Sequence, residues 1–386
     1  MRTITVVGAS IAGLSAARAL RAQEFAGRIV VIGDEPHEPY DRPPLSKGFL
    51  DGSASLDDIA LSTPDDKLLD IDWRLGSKAT ALDTSSRTVV LDTGERVVTD
   101  AVVLATGARA REMPGPAGVY TLRTLEDAVA LKQALNQGGS LVVIGAGFIG
   151  AEVASTARQL GLDVTVLETL PTPMAGPLGP EMGQVCAELH GRHGVKLITG
   201  VPVSTLVGDD RVRAVRLADG REIPADIVVA GIGAVPNVEW LLGSGLTIDG
   251  GVVTDARCMT NLPHVVAVGD CASAFNDHAG RVIRLEHWTS AVQQPKIAAA
   301  SLLGRTSAHA ARFSVPYFWS DQYGSRLQFA GHRRDGDDVE IVEGSPDGPF
   351  VAVYRRDSRP VAVLAVDQPR VFGRWRRELA SEGVLS

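Results

Sequence analysis

Two stretches of the chain share the same succession of apolar, glycine-rich and helix-forming positions. Residues 4–20 read ITVVGASIAGLSAARAL, and residues 141–158 read LVVIGAGFIGAEVASTAR. In each, an apolar run predicts a buried strand, a glycine-rich segment a tight turn, and an alanine-rich segment a helix. The first N–H groups of such a helix suit a pyrophosphate. The two stretches therefore predict two dinucleotide-binding sites.

The glycines of these turns have distinct tasks. Gly8 permits the tight turn after the first strand and Gly13 lets the helix pack closely, whereas Ser10 stands where the pattern expects a middle glycine. The first turn alone is weak evidence, because glycine-rich loops occur in many folds. Its recurrence supports both assignments, since the second turn has the full set, Gly145, Gly147 and Gly150.

A carboxylate follows the second predicted strand of the first unit. Residues 28–33, RIVVIG, lead into Asp34 and Glu35, the place where a carboxylate meets an adenosine ribose. Asp34 is slightly favoured over Glu35. The alternative for either is an ordinary acid in the turn at a strand end.

The corresponding strand of the second unit indicates which nicotinamide nucleotide binds. Residues 163–167 lead into Glu168, and the following TLPTPMAG contains no lysine or arginine. A carboxylate accepts both ribose hydroxyls and repels a 2′-phosphate, and this segment offers no cation to hold one. The pattern predicts NADH over NADPH.

The likeness of the two units extends beyond their turns. Residues 79–108 and 205–234 both read as short strands with turn signals, and in register Asp100 matches Asp226. This predicts an internal duplication of a doubly wound α/β unit, with an antiparallel hairpin before its last strand. The first copy is longer, and its surplus is the segment YDRPPLSKGFL.

The surplus segment is stiff and cationic. Pro43 and Pro44 restrict the backbone before a short helix that we expect near Leu45. A rigid segment that carries Arg42 and Lys47 beside a phosphate-binding turn indicates placed cations. The alternative is that the segment only caps the domain.

Glu152 lies two residues beyond Gly150, and its spacing places it on the first turn of the second helix. An acid at that position is favoured by the helix dipole. The functional alternative is a carboxylate near the reacting rings. Spacing alone leaves both interpretations open.

Beyond the duplication, the chain is expected to return to the first unit. Residues 265–272, VVAVGDCA, predict a buried strand and then a helix start at Gly269 and Asp270, whose N–H groups would face the first dinucleotide. Residues 286–304 predict a helix. From Arg312 onward, short β-branched runs predict a small antiparallel domain that ends in the Arg-rich helix PRVFGRWRREL.

Composition excludes several classes of function. The chain has 386 residues, which fits two or three domains, a net charge of −8 and no basic tract. This argues against nucleic acid or an anionic membrane as the main partner. The first strand begins by Thr3, and glycine or charge interrupts every long apolar run. We therefore expect a cytoplasmic protein without a membrane span.

The cysteines and histidines exclude further chemistry. Cys186, Cys258 and Cys271 lie far apart without C-x-x-C spacing, so neither a disulfide framework nor a zinc site is predicted. A disulfide-reducing flavoprotein needs a redox pair near its flavin, and no cysteine precedes Cys186. The eight histidines show no metal-ligand spacing. We expect no metal and a route for electrons that avoids thiols.

Several short motifs together resemble one enzyme family: PYDRPPLSK, LATGA, LRTLEDA, VIGAGFIGAEVA, AGIGAVPN, AVGDCA, EHW and PYFWSDQY. Along essentially its whole length the chain resembles the NADH-dependent, FAD-containing ferredoxin reductases that serve bacterial P450s and aromatic-ring dioxygenases. The resemblance implies an α/β fold of glutathione-reductase-like architecture, with two duplicated doubly wound dinucleotide-binding domains, for FAD and NAD, and a small α+β C-terminal domain. We expect the FAD-binding domain at 1–111 and 238–311, the NAD-binding domain at 112–237 and the C-terminal domain at 312–386.

The resemblance also assigns roles to individual residues. It implies FAD contacts at Ala12, Asp34, Arg42, Lys47, Ala79, Arg123, Asp270 and Trp288, and NADH contacts at Gly147, Ile149, Glu168 and Gly233. It places Lys47 and Glu152 together by flavin N5 and Trp319 close to the isoalloxazine. The functional interpretation of Glu152 is thereby favoured.

The implied function is electron transfer from NADH through FAD to a [2Fe–2S] ferredoxin that supplies a P450 or Rieske-type oxygenase. Two alternatives stay open: a rubredoxin or other acceptor reductase, and a redox-sensing, apoptosis-factor-like flavoprotein. Arg374 and Arg377 share one face of the Arg-rich helix at i and i+3, which indicates either a ferredoxin-docking patch or a solvated helix end. The sequence leaves the oligomeric state open.

Overall fold

The computed structural model describes residues 1–305 and 315–382. Arg312 and the predicted boundary between residues 311 and 312 lie outside the described residues. Within these ranges, no helix combines the length and apolar character needed to cross a membrane.

The first unit is built on parallel strands whose apolar runs are buried on both faces. Its helices are α1 (Ile11–Ala22), between the first two strands, and α2 (Gly48–Asp51), between the second and third. Its strands are β1 (Thr3–Val7), β2 (Arg28–Ile32), β3 (Ile71–Arg74), β4 (Ala79–Asp83), β5 (Thr88–Leu91), β6 (Arg96–Val98), β7 (Ala101–Leu104) and β8 (Ala108–Ala110). Strands β4, β5 and β6 form the predicted antiparallel insertion.

The second unit repeats this plan. Its helices are α3 (Leu125–Leu135), α4 (Phe148–Gln159) and α5 (Ala175–Arg192). Its strands are β9 (Val119–Tyr120), β10 (Ser140–Ile144), β11 (Asp163–Glu168), β12 (Lys196–Thr199), β13 (Val203–Val207), β14 (Ala214–Leu217), β15 (Glu222–Pro224), β16 (Ile227–Ala230) and β17 (Ala234–Pro236). The parallel sheet has the order β12-β11-β10-β16-β9, and β13-β14-β15 form the antiparallel insertion.

The predicted return of the chain to the first unit is confirmed. The returning elements are β18 (Val252–Thr254), β19 (Val265–Ala267), β20 (Ala272–Asn276), β21 (Arg281–Arg284) and α6 (Trp288–Leu302). Strand β19 pairs in parallel with β7, which completes a five-stranded sheet of order β19-β7-β1-β2-β3. Helix α6 packs on α1 in a core rich in small side chains, among them Ala16, Ala17, Ala298 and Ala299.

The predicted helix start at Gly269 and Asp270 is wrong. Gly269–Cys271 form a single 3₁₀ turn that leads directly into β20. The N–H of Gly269 donates to Gln294 Oε1 at 2.6 Å, so it is engaged by α6. Pairing of β20 with β18 and β21 supplies tertiary hydrogen bonds that a helix in this segment would forfeit.

The C-terminal domain is an antiparallel sheet with one helix on it, as predicted. Its elements are β22 (Tyr317–Gln322), β23 (Ser325–Gly331), β24 (Asp338–Gly344), β25 (Phe350–Arg356), β26 (Arg359–Val366) and α7 (Pro369–Glu382). The strand order is β22-β23-β26-β25-β24. Helix α7 buries Phe372 and Leu379 and leaves Arg374 and Arg377 exposed.

Two aspartates show that the duplication extends to individual hydrogen bonds. Asp100 Oδ2 accepts from the N–H of Thr3, at 2.9 Å, and Asp226 Oδ2 accepts from the N–H of Ser140, at 2.8 Å. Thr3 and Ser140 begin the central strands β1 and β10. These backbone donors lower the pKa of both carboxyls. The predicted fold class and duplication are confirmed, and the domain limits stay a prediction.

Candidate active site

The first glycine-rich turn has no room for larger side chains. Gly8 has φ +117°, and a Cβ on it would lie 2.0 Å from the carbonyl oxygen of Ala105. A Cβ on Gly13 would lie 1.8 Å from the carbonyl oxygen of Gly8. The turn therefore brings β1, β7 and the start of α1 within backbone contact, which requires glycine at both positions.

The second turn repeats this geometry. Gly145 has φ +100°, and a Cβ there would lie 2.3 Å from the carbonyl oxygen of Gly231. A Cβ on Gly150 would lie 2.1 Å from the carbonyl oxygen of Gly145. Both turns thus form close cradles at the N-terminus of a twelve-residue helix, α1 in the first unit and α4 in the second.

The middle position explains how Ser10 replaces a glycine. Ser10 and Gly147 are the N-caps of α1 and α4, and both have extended backbone. A Cβ on Gly147 would meet open space, so the turn tolerates a side chain there. Arg42 Nε donates to Ser10 Oγ at 3.5 Å, which places a guanidinium beside the first turn. Serine therefore keeps the cradle and adds a polar contact.

The strand-end acids differ in their engagement. Glu168 ends β11, and its two oxygens accept from the N–H groups of Ala146, at 2.9 Å, and Leu170, at 2.8 Å. These contacts fix the carboxylate beside the second turn. Arg333 donates to the carbonyl oxygens of Ala175 and Gly176, at the end of the segment TLPTPMAG that itself contains no lysine or arginine. Reading the segment in isolation missed this arginine.

In the first unit, Asp34 is exposed just beyond β2, whereas Glu35 is engaged by its neighbours. Arg42 Nη2 pairs with Glu35 Oε1 at 2.6 Å, and the Tyr40 hydroxyl donates to Glu35 Oε2 at 2.5 Å. Burial raises the pKa of Tyr40, so the phenol stays a donor. These contacts support Asp34 as the carboxylate available to a ribose.

The stiff segment forms a 3₁₀ turn, Pro43–Ser46, and then α2, close to the predicted helix near Leu45. Lys47 lies between the two and crosses to the second unit, where its Nζ is 2.7 Å from Glu152 Oε2. The Lys47 Nζ also donates to the carbonyl oxygen of Pro43 at 3.0 Å. The two residues predicted to act together are therefore in direct contact.

Glu152 is almost completely buried, with 3% of its surface exposed. The predicted position on the first turn of α4 is wrong, because the helix already begins at Phe148 and Glu152 therefore lies one turn further in. The dipole explanation is weak there, since that effect fades after the first turn. The partners of the carboxylate are Lys47, Ser46 at 2.5 Å and Ser320 at 2.6 Å. A buried charge requires such partners.

A second ion pair, between Arg123 and Asp270, connects two segments that are distant in the sequence. Arg123 Nη2 lies 2.5 Å from Asp270 Oδ2, and Arg123 Nε donates to the carbonyl oxygen of Ala108 at 2.8 Å. Arg42 Nη1 donates to the carbonyl oxygen of Arg123. The predicted FAD residues Arg42, Arg123 and Asp270 are thus brought together.

The remaining predicted contacts are more dispersed. Ala12 is buried on α1, and a Cβ on Gly269 would lie 3.2 Å from its own. Ala79 is buried at the start of β4, in a core that also contains Ile32 of β2. In the second unit, Ile149 is 46% exposed on the first turn of α4, and Gly233 has φ +99° with open space beside it.

An aromatic group covers the junction between the first unit and the C-terminal domain. The rings of Trp288 and Trp319 meet edge to face at 6.1 Å, and Trp319 stacks on Tyr317 at 5.9 Å. Trp288 Nε1 donates to Asp41 Oδ1 at 2.8 Å. Burial raises the pKa of Asp41. The predicted residues Trp288 and Trp319 therefore belong to one contact group.

Sequence reasoning missed several members of the site: Tyr40, Asp41, Ser46, Tyr317 and Ser320. Tyr40, Asp41 and Ser46 lie inside the PYDRPPLSK motif, and Tyr317 and Ser320 lie inside PYFWSDQY. The motifs mark the segments but do not show which of their residues meet. Glu152, the shared partner of Ser46 and Ser320, lies 106 and 168 positions away from them, so these contacts become visible only in the fold.

The cysteines take no part in this site. Cys186, Cys258 and Cys271 are buried free thiols, and burial raises the pKa of each, that of Cys186 to about 12. Such thiols are poor nucleophiles and poor redox partners. Throughout the described ranges, no cluster of His, Cys, Asp or Glu is arranged to hold a metal ion.

The residues present fit two dinucleotides. Each unit provides a backbone cradle that a Cβ would fill, a helix N-terminus without acidic side chains in the described first turn, and a carboxylate at the adjacent strand end. The first unit adds the Arg42 guanidinium. In the second unit the strand-end carboxylate is Glu168, held beside the glycine-rich turn by the N–H of Ala146.

Comparisons with known proteins agree with this geometry. A family model described as pyridine nucleotide-disulphide oxidoreductase matches residues 2–295, and one described as reductase C-terminal matches residues 317–386. The chain is 40% identical to rhodocoxin reductase of Rhodococcus erythropolis, covering 100% of this chain and 91% of the relative. It is 39% identical to the ferredoxin reductase component of a chlorobenzene dioxygenase of Cupriavidus sp., covering 99% and 93%.

A solved structure is similarly close. In the crystal structure of a covalent putidaredoxin reductase–putidaredoxin complex, one chain matches with a TM-score of 0.93 and 34% identity, covering 98% of this chain and 93% of that one. The chain belongs to the pyridine nucleotide-disulphide oxidoreductase family through residues 2–295 and, over nearly its whole length, to the ferredoxin reductases of oxygenase systems.

Proposed function

We propose that this protein is an NADH:ferredoxin oxidoreductase that passes electrons from NADH through FAD to a [2Fe–2S] ferredoxin, which supplies a P450 or Rieske-type oxygenase. The observation that carries the proposal is the ion pair between the partly exposed Lys47 and the buried Glu152, which joins the two dinucleotide-binding units at 2.7 Å. The named relatives, a rhodocoxin reductase and a dioxygenase reductase component, support the same class of acceptor.

The first unit would hold FAD. Gly8, Ser10 and Gly13 form the pyrophosphate cradle, Asp34 meets the adenosine ribose, and Arg42 supplies the adjacent positive charge. The other contacts are Ala12, Ala79, Arg123, Asp270 and Trp288. When bound, FAD accepts an electron pair from NADH and releases it in single-electron steps.

The second unit would hold NADH. Gly145, Gly147 and Gly150 form its cradle, Ile149 and Gly233 line the nucleotide, and Glu168 accepts the ribose hydroxyls. A fixed carboxylate beside the ribose disfavours a 2′-phosphate by charge repulsion. The selectivity for NADH follows from this placement.

Lys47 and Glu152 organise the junction between the two cofactors. The Lys47 ammonium supplies a fixed positive charge where negative charge develops, and its contact with Glu152 and the Pro43 carbonyl restricts its position. Trp319, adjacent in sequence to Ser320, meets Trp288 edge to face where the first unit contacts the C-terminal domain. Neither member of the ion pair needs to transfer a proton.

The protein is assigned to the cytoplasm. Its three cysteines are unpaired thiols, which fits a reducing compartment. NADH, the proposed donor, is also available there.

The proposed function is tested by mixing the purified, FAD-loaded protein with NADH and a panel of [2Fe–2S] ferredoxins and rubredoxins. We expect rapid reduction of at least one ferredoxin and slow reduction of rubredoxins. Ferricyanide reduction serves as the control for an intact NADH-to-FAD step. Exclusive turnover with rubredoxins would identify the alternative reductase, and slow turnover with every protein acceptor would favour a redox sensor.

A further inference from the structure

Ser320 holds the Glu152 carboxylate from the side opposite Lys47. Its hydroxyl donates to Glu152 Oε1 at 2.6 Å, while Lys47 and Ser46 both contact Oε2. Ser320 is fully buried on β22, within the C-terminal domain. The two carboxylate oxygens are therefore engaged by different parts of the fold.

A second buried side chain orients the Ser320 hydroxyl. Gln322 Nε2 donates to Ser320 Oγ at 3.0 Å, and Gln322 is 1% exposed. Because the Ser320 oxygen accepts from Gln322, its own proton is directed to Glu152. The contacts form a continuous chain from the C-terminal domain through Glu152 to Lys47.

This series of hydrogen bonds restricts rotation of the Glu152 carboxylate. With contacts at one oxygen only, the terminal torsion of a glutamate side chain is broad. Donors on both oxygens from two separate elements fix the carboxylate plane, so that Oε2 faces Lys47. Loss of the Ser320 donor would leave Oε1 buried with one hydrogen bond fewer, and the carboxylate would turn to compensate.

We propose that Ser320 is a positioning residue of the reductive site, through which the C-terminal domain holds Glu152 in contact with Lys47. The inference rests on the proposed NADH-to-FAD reaction and deepens it: the third domain completes the site that the two nucleotide-binding units begin. Ser320 acts through Glu152 and needs no contact with either cofactor.

The helix offers a matched control for this role. Ser155 lies one turn after Glu152 on α4, is 5% exposed, and its Oγ accepts from the N–H of Tyr323 at 2.7 Å. Ser155 thus joins the same helix to the same C-terminal segment without contacting the carboxylate. Ser155→Ala removes an interdomain hydrogen bond and preserves the Glu152 contacts.

The experiment compares Ser320→Ala, Ser320→Cys, Ser320→Thr and Ser155→Ala in the FAD-loaded protein. Stopped flow gives the limiting rate of FAD reduction by NADH and the NADH concentration for half-maximal rate. We expect Ser320→Ala and Ser320→Cys to lower the limiting rate about tenfold, because a weakened donor no longer fixes the charged group. The half-saturating NADH concentration should change by less than about twofold, since the hydrogen bonds of Ser320 run to Glu152 and Gln322 and not to the proposed NADH contacts. Ser320→Thr keeps the hydroxyl and should keep the rate.

A crystal structure of Ser320→Ala supplies a readout independent of activity. The expected result is a Glu152 carboxylate turned away from Lys47, so that Oε2 no longer lies 2.7 Å from the Lys47 Nζ. An undisturbed ion pair together with a normal limiting rate would overturn the positioning role. Equal slowing by Ser155→Ala would also overturn it, because the interdomain contact itself would then be responsible. Failure of NADH to reduce the unmodified protein would instead refute the proposed function.

Discussion

The two nucleotide-binding units differ most in one connection between parallel strands, which joins β2 to β3 in the first unit and β11 to β12 in the second. In the second unit this connection is α5, whose Leu178, Met182 and Cys186 pack against the C-terminal sheet. In the first unit it is a longer run of short helical turns that carries Lys47. The two copies of the α/β unit therefore differ in what this connection contacts. Helix α5 packs against the C-terminal sheet, whereas the connection of the first unit brings Lys47 to Glu152.

The local sequences account for the difference. Pro43 and Pro44 suit the first positions of a 3₁₀ turn, and the non-helical backbone of Lys47 (φ −126°, ψ −113°) ends that turn, so the chain stays near the first cradle and the Lys47 side chain reaches α4. In α5, Gly179 has non-helical backbone with φ +80° and Pro180 begins a second helical segment, so α5 consists of two helices joined at a kink. The repeated α/β unit supplies the two glycine-rich turns of the proposed cofactor sites, and the connections supply side chains around them.

The largest effect is expected from Lys47→Ala, which removes the ammonium group carried by the connection that is particular to the first unit. FAD reduction by NADH should slow about a hundredfold in stopped flow with FAD still bound, because a preorganised charge is lost. Lys67→Ala is the matched control, since Lys67 is an exposed lysine of the same connection. Equal rates for the two variants would return Lys47 to a purely structural role.

Substitutions in the second turn test the geometry that both units share. Gly150→Ala places a Cβ near a backbone oxygen at 2.1 Å, whereas Gly147→Ser copies the residue that the first unit already accepts. We expect kcat/KM for NADH to fall about thirtyfold in Gly150→Ala, from about 2 kcal/mol of strain, and less than about threefold in Gly147→Ser. FAD content, measured by absorbance, should stay unchanged. Equal losses would mean that the two turns are not equivalent.

Glu168→Ala tests the nucleotide preference of the second unit. The unmodified protein should prefer NADH over NADPH by about tenfold, which one unfavourable contact of about 1.4 kcal/mol provides. The variant should narrow this ratio, while Glu181→Ala, an exposed acid on α5, should leave it unchanged. A preference unaffected by Glu168→Ala would place the ribose elsewhere.

Reversal of Arg374 and Arg377 to glutamate tests whether the C-terminal domain also receives the acceptor. Both side chains are exposed, whereas Arg376 lies over the Tyr317 ring at 4.4 Å and is left intact. Ferredoxin-dependent cytochrome reduction should fall about fivefold at low salt and become less salt-dependent, because a steering charge is lost.

NADH-to-ferricyanide activity of this variant should stay near normal, since that small acceptor needs no docking surface. Reversal of Arg216 and Arg221, exposed on the second unit's hairpin, is the charge-matched control. A parallel loss of both activities would show that the arginines support the fold.

The smallest effect concerns the attachment of α5 to the C-terminal domain. His190 Nδ1 lies 2.6 Å from the Tyr323 hydroxyl, and burial lowers the pKa of His190 from 6.5 to about 4. Between these values the unfolded chain binds a proton that the folded chain refuses, so stability falls as pH decreases from 6.5 towards 4. The melting temperature of His190→Gln should depend less steeply on pH in this window. If the melting temperatures of the variant and of the unmodified protein change equally with pH, groups other than His190 cause the loss of stability in acid.

The sequence alone predicted the two α/β units, because each signal for them lies within a short stretch of residues. The glycine turns, the strand-end acids and the repeated Asp100 and Asp226 each depend on a few adjacent residues. The wrong helix start at Gly269 has the opposite origin, since the pairing of β20 with strands distant in sequence decides the local conformation.

The site was predictable only in part for the same reason. The meeting of Lys47 and Glu152 followed from a family resemblance, because 105 positions separate them. Ser46 and Ser320 could not be distinguished from ordinary buried serines until the fold brought them to one carboxylate. Residues that act together through contacts between units are far apart in the sequence, so their spacing does not reveal the contact.

The most direct test of the shared site is the rate of FAD reduction by NADH in the double variant Lys47→Ala with Glu152→Gln. Either change alone disrupts the pair, so the account predicts that the double variant is no slower than the slower single variant. A double variant slowed by the product of the two single effects would show that the side chains act independently, and would contradict a site that the two units build together.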